Sequence, residues 1–119
     1  MEQTKYTPIY AVDFDGTLSV GAPWPEIGRP NEELFGYLIS LRNAGARIIL
    51  WSCRTGKILD DAIEFCEEYG LTFDAVNENL PEIVESFGGD SRKVFANFYI
   101  DDKNLCFLEQ AGIGHILQI

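Results

Sequence analysis

Asp13 and Asp15 stand on either side of Phe14, at the end of an apolar run over residues 8–14 and just before Gly16 and Thr17. Alternation along an extended chain puts both carboxylates on one side, where they repel each other and need a cation or a proton. Gly16 lets the chain turn away there without a Cβ clash. A polar turn after a strand would account for Asp15 and Gly16, because both residue types favour turns. It does not account for a carboxylate at position 13, inside the apolar run. At average residue usage Asp-x-Asp-Gly-Thr arises in roughly one chain in a thousand of this length, so composition alone is a poor explanation. A second acidic pair, Asp101 and Asp102, closes another apolar run. Four carboxylates at two strand ends are the raw material of a divalent-cation site.

These residues need a scaffold that brings distant strand ends together. Short apolar runs over 8–14, 47–52, 73–76 and 97–101 predict strands, and 115–119 predicts an edge strand. Amphipathic stretches between them predict helices over 31–44, capped by Asn31 and stopped by Gly45, and over 57–69, stopped by Gly70. A short helix over Pro81–Phe87 opens on its proline, and a last helix is expected over 105–111. Residues 18–30, rich in Pro and Gly, predict a long loop. Strands alternating with helices imply right-handed crossovers. The expected fold is therefore α/β, a three-layer, Rossmann-like, doubly wound and mainly parallel sheet. Functional residues of such sheets gather outside the carboxyl ends of the strands. That end receives Asp13, Asp15, Ser52 with Arg54 just beyond, Asn77, Asp101 and Asp102. Lys93 reaches it if the segment before the fourth strand is helical or turned.

Composition sets outer limits. A chain of 119 residues with 46% hydrophobic residues supports one globular domain, over residues 1–119, and not two. Nineteen acidic against nine basic residues give a formal charge of −10, which disfavours nucleic acid and anionic lipid as partners. Nucleic acid stays open only if Arg29, Arg42, Arg54, Lys57 and Lys93 segregate into a local basic patch. Nothing resembles a secretory leader or a membrane-spanning run, so a cytoplasmic protein is expected. Cys53, Cys66 and Cys106 form no Cys-x-x-Cys pair, and reduced thiols fit that location.

The order Asp13-Phe14-Asp15-Gly16-Thr17-Leu18, then Ser52 after an apolar strand, Lys93, and Ile100-Asp101-Asp102 resembles the four motifs of the haloacid dehalogenase superfamily of phosphotransferases. The resemblance spans residues 9–102. The segments around Trp51-Ser52-Cys53-Arg54, Asn77-Glu78-Asn79 and Asp101-Asp102-Lys103 look like a small, capless phosphatase-like branch. What the resemblance implies is a Mg²⁺-dependent phosphatase. Asp13 would be the nucleophile, giving an aspartyl-phosphate that water hydrolyses. Asp15 would protonate the leaving oxygen and then take a proton from water. Mg²⁺ would be held by Asp13, the backbone carbonyl of Asp15 and Asp101, with Asp102 joining directly or through water. Ser52 would donate to a phosphoryl oxygen, Lys93 would neutralise charge, and backbone N–H groups of the Phe14–Gly16 turn, with Thr17 beside them, would complete the anion cradle.

Simpler roles compete for several residues. Ser52 can be a helix cap, and Asp101 and Asp102 can cap the helix expected after them. Arg54 and Lys57 open a helix, where cations oppose the dipole and an anion becomes an attractive partner for them. Lys57 also competes with Lys93 as the phosphate lysine, and the family order favours Lys93. His115 is remote in sequence and fits a structural position. Asn77 and Asn79 fit a crevice wall or a turn. A receiver domain shares the parts but not their order, since there the acidic pair follows the first strand. Dehalogenases lack the second carboxylate of the first motif, so Asp15 favours phosphoryl chemistry. A non-catalytic phosphate- or metal-binding module on the same fold is the remaining alternative. With no room for a cap domain, the site is expected to be open to a phosphorylated substrate whose identity the sequence does not specify. A second copy of the chain could then act as its cover. Trp24, between Pro23 and Pro25, either contacts substrate or packs its loop down.

Overall fold

The apolar run at the N-terminal end forms a strand, β1 (Ile9–Val12), that stops one residue before Asp13. The computed structural model describes residues 7–103 in full and, beyond them, the backbone of residues 105–110 and 113–118. The loop expected over 18–30 contains a small antiparallel ribbon, β2 (Ser19–Val20) with β3 (Arg29–Pro30). Helix α1 (Glu32–Asn43) follows, β4 (Arg47–Leu50) and α2 (Gly56–Glu68) come next, and β5 (Ala75–Val76) leads into α3 (Pro81–Phe87) and β6 (Phe98–Ile100).

Local chemistry explains most of these boundaries. Asn31 caps α1, its Oδ1 accepting from the Leu34 N–H, and its Nδ2 donates to the Thr17 carbonyl. One side chain thereby starts the helix and ties it to the turn after β1. Gly45 and Gly70 end the first two helices in the left-handed region, at φ 108° and 87°, where a Cβ would be strained. Pro81 sits at the first helical position of α3, where its missing N–H costs nothing.

Four strands form a parallel sheet in the order β5-β4-β1-β6. The chain steps outward from β1 to β4 to β5, then crosses back to β6 on the far side of β1. The strand order therefore reverses between β1 and β6, which opens a crevice at their carboxyl ends. Alternation along β1 and β4 feeds two cores. Val12, Ile48 and Leu50 pack with Phe35 and Leu38 of α1 and Ala62 and Cys66 of α2. Ile9, Ala11 and Ile49 pack on the other face with Leu80, Val94 and Ala96, and Ile83 of α3 joins them. The expected α/β class with a mainly parallel sheet and helices on both faces holds. Burial pushes the Cys66 thiol up to about 12, in keeping with an inert core residue.

One element is corrected. Residues 105–111, expected as a helix, contain a strand, β7 (Leu105–Gln110), paired antiparallel with β8 (Ile113–Gln118). A short apolar run does not distinguish helix from strand, and a pairing partner three residues downstream supplies the ladder. The strand expected over 115–119 therefore belongs to this hairpin and not to the edge of the main sheet. The side chains of Cys106 and His115 lie outside the described residues. Among the described residues no helix is long and apolar enough to cross a membrane.

Candidate active site

The parallel ladder carries the acidic residues to the crevice. The Asp13 N–H donates to the Ile100 carbonyl at 2.9 Å, so β1 and β6 stay in register up to the point where both turn acidic. Asp13, Asp101 and Asp102 converge, each offering a carboxylate oxygen within 4.8 Å of the others. Thr17 locks the arrangement: its hydroxyl donates to Asp13 Oδ2 at 3.2 Å and accepts from the Asp102 N–H at 3.1 Å. Gly16, at φ 79°, passes so close to Asp102 that a Cβ would overlap its carboxylate.

The cluster is electrostatically uncomfortable. Burial, then the neighbouring Asp101, then Asp102 push the Asp13 carboxyl up to about 6, against donation from the Phe14 backbone and from Thr17. Asp102 Oδ1 is buried and has no hydrogen-bond partner. Lys103 reaches Asp102 Oδ2 only at 3.4 Å from an exposed position, which offsets little. Asp101 Oδ1 accepts from the Lys103 N–H in a turn that leads to β7, so its expected role as a helix cap is replaced by a turn contact. An orphaned buried oxygen beside two further carboxylates is the donor set a hard divalent cation takes.

Asp15 has the opposite surroundings. Arg54 Nε donates to its Oδ2 at 2.9 Å and Arg54 Nη2 to its Oδ1 at 2.7 Å, a two-point pair. The arginine is only 1% exposed. Its Nη2 also donates to the carbonyls of Pro25 and Glu26, and its Nη1 to that of Ile58. Its guanidinium lies over the rings of Phe14 and Trp24, 4.9 and 5.1 Å from their centroids. Alternation would have kept Asp13 and Asp15 together, but β1 ends at Val12 and the turn separates their side chains. The Asp15 carboxylate is consequently outside the acidic cluster.

Several anion ligands expected from the sequence are otherwise engaged. Arg54 donates to Asp15 and to three carbonyls. The Gly16 N–H donates to the Ser19 carbonyl at 2.8 Å, and the Thr17 hydroxyl donates to Asp13 and accepts from the Asp102 N–H. Lys93 is exposed with its Nζ 5.3 Å from the Tyr99 ring centroid, and among the described residues it makes no ion pair with the cluster. Lys57 pairs with Asp61 one helical turn on. Ser52 follows β4 with one residue between, and its Oγ accepts from the Arg54 N–H at 3.0 Å.

Two asparagines do more than their sequence context suggested. Asn77, in the left-handed region at φ 54°, accepts from the Ser52 N–H through Oδ1 at 2.7 Å and reaches the Arg54 carbonyl through Nδ2 at 3.4 Å. It thus sets the turn that carries both Ser52 and Arg54. Buried Asn79 staples the segment after α3 by contacts to Asp90, Ser91 and the Phe95 N–H, away from the site. A groove of about 540 Å³ opens beside the cluster, with Gly16, Thr17, Asp101 and Asp102 at one end and Leu34 and Tyr37 along it. Between β1 and α1 the chain builds only the ribbon, and between β5 and β6 only one helix and loops.

A solved structure of a conserved protein coded by a Bacteroides thetaiotaomicron locus is similar to this chain, with a TM-score of 0.72 and 42% sequence identity over 83% of this chain and 78% of that one. The two proteins belong to one family. At that identity and coverage the likeness extends to sequence as well as fold. No model of a known protein family matches the sequence, and no curated protein does.

Proposed function

We propose that this protein is a Mg²⁺-dependent phosphatase with a Rossmann-like, haloacid dehalogenase-like core. The observation that carries the reading is the split fate of the two aspartates of the first motif. Asp13 joins a three-carboxylate cluster with an unsatisfied buried oxygen, while Asp15 is held apart by a buried arginine. A metal at the cluster would favour ionised Asp13 for attack, and Asp15, held apart from it, is left for proton transfer. Asp13, Asp101 and Asp102 would hold the metal, which when bound supplies charge neutralisation for an attacking carboxylate and a phosphoryl group.

The protein's own residues then do the following. An Asp13 oxygen attacks phosphorus as the bond to the leaving oxygen breaks, and Asp15 gives that oxygen a proton. Water next attacks phosphorus, the Asp13–phosphorus bond breaks, and Asp15 recovers a proton from the water. Thr17 holds Asp13 in line throughout, and the Ser52 hydroxyl donates to a phosphoryl oxygen. The proposed substrates are phosphomonoesters able to enter an open crevice. Polyanionic nucleic acid is disfavoured because Arg42, Arg54 and Lys57 of the candidate basic patch are each paired with a carboxylate.

Purified protein should release inorganic phosphate from an aryl phosphate only when Mg²⁺ is present. Asp13→Asn should lower that rate on the order of a thousandfold or more with the circular dichroism spectrum unchanged. Hydrolysis by the folded variant at the wild-type rate would overturn the assignment.

A further inference from the structure

Resting on the phosphatase reading, we infer that Arg54 is a positioning residue for the reaction: its buried guanidinium fixes the direction in which Asp15 presents its carboxyl group. Three elements converge on this side chain. The turn after β1 contributes Asp15, the loop between β2 and β3 contributes the Pro25 and Glu26 carbonyls, and the first turn of α2 contributes the Ile58 carbonyl. Two aromatic rings, Phe14 and Trp24, also lie against the guanidinium, 4.9 and 5.1 Å from their centroids. The plane cannot rotate without breaking contacts to all of them, so the carboxylate bound edge-on to it is oriented as well.

A buried arginine of this kind needs a reason beyond packing, because an apolar side chain would fill the space without the desolvation cost. The carbonyls account for only part of the fork. Its Nε edge and one Nη face the one carboxylate that the reaction must aim at a leaving oxygen. Asp15 is itself part-exposed, with its side chain 32% accessible. Arg54 therefore stands behind the proton carrier and does not contact the phosphoryl group. Lysine offers a single point charge in place of the fork and cannot impose the same orientation.

The test is a double-mutant cycle between Arg54→Lys and Asp15→Asn, measured with Mg²⁺ on a nitrophenyl phosphate and an alkyl phosphate. Arg54→Lys should lower kcat by about 10- to 100-fold with KM little changed, because misdirection of a catalytic group by about an ångström costs that much. The loss should be greater on the alkyl ester, whose leaving oxygen needs the proton more. In the Asp15→Asn background the same substitution should cost less than about threefold, since the two residues act as a unit. A purely structural role would cost the same in both backgrounds and on both esters, and that result would overturn the inference. Should Asp15→Asn fail to fold, Arg54→Lys alone decides through its leaving-group dependence, and equal losses on the two esters would again overturn it. Wild-type protein inactive on both esters would overturn the phosphatase reading itself. Active wild type with an equally active Arg54→Lys would overturn only the role of Arg54.

Discussion

Asp13 and Asp15 are two residues apart and chemically identical, yet their surroundings have opposite sign. Asp13 faces two more carboxylates across the β1–β6 crevice, and Asp15 faces a guanidinium buried beneath the α2 side of the same turn. The difference comes from where β1 stops. Ladder pairing holds Asp13 against Ile100, while the turn through Phe14 and Gly16 swings Asp15 toward Arg54. One region gathers carboxylates with only an exposed lysine at its edge, and the other is built around a buried guanidinium. A repulsive cluster stores the free energy that a metal would relieve, whereas a satisfied pair resists change and holds geometry.

The contrast predicts unequal costs. The largest effect on stability should come from the satisfied side: Asp15→Asn leaves the buried Arg54 charge with no carboxylate to balance it, at a cost of about 3 kcal/mol. For a domain of this size that lowers Tm by roughly 12 °C or more in a thermal melt. A change within about 1 kcal/mol would show that the pair is no more than a surface ion pair. On the unsatisfied side, Mg²⁺ should raise Tm, with a stabilisation of about 2.7 kcal/mol at a hundredfold excess over its Kd. Asp13→Asn should remove most of that rise while leaving the Asp15–Arg54 pair in place. A rise of equal size in the variant would mean that the metal binds elsewhere.

How far the sequence foretold this contrast follows from which interactions are local. Asp13 and Asp101 were legible because a carboxylate inside or directly after an apolar run has few structural uses. The Pro81–Phe87 helix was legible because proline marks its start. Position 54 was not, since a guanidinium looks the same whether it faces solvent, phosphate or Asp15. Only the packing of α2 under the β2–β3 loop buries it. Thr17 likewise matched the expected turn, but its service to Asp13 and Asp102 depends on a partner 85 residues away in sequence. Asn77 carried a signal that was available: an asparagine right after a short strand suits the left-handed conformation it adopts. Residues 105–110 misled because six residues with four apolar ones fit either period.

The smallest predicted effect concerns pH, and its sign separates the two regions. The Asp13 carboxyl ordinarily titrates near 3.8 and in the folded protein is pushed up to about 6. Between those values the folded state binds the proton more tightly than the unfolded chain, so this group favours folding at the acidic end. Its contribution is lost as pH rises from about 4 to about 6. Metal-free protein should therefore lose some stability across that window in urea titrations. Asp13→Asn should flatten the loss, and saturating Mg²⁺ should reverse its direction, since a carboxylate bound to a cation favours the ionised form. If metal-free wild type and Asp13→Asn instead follow parallel curves from pH 4 to 7, repulsion in the cluster is too weak to drive metal binding. The case for Asp13 as a ligand would then fall back on geometry alone.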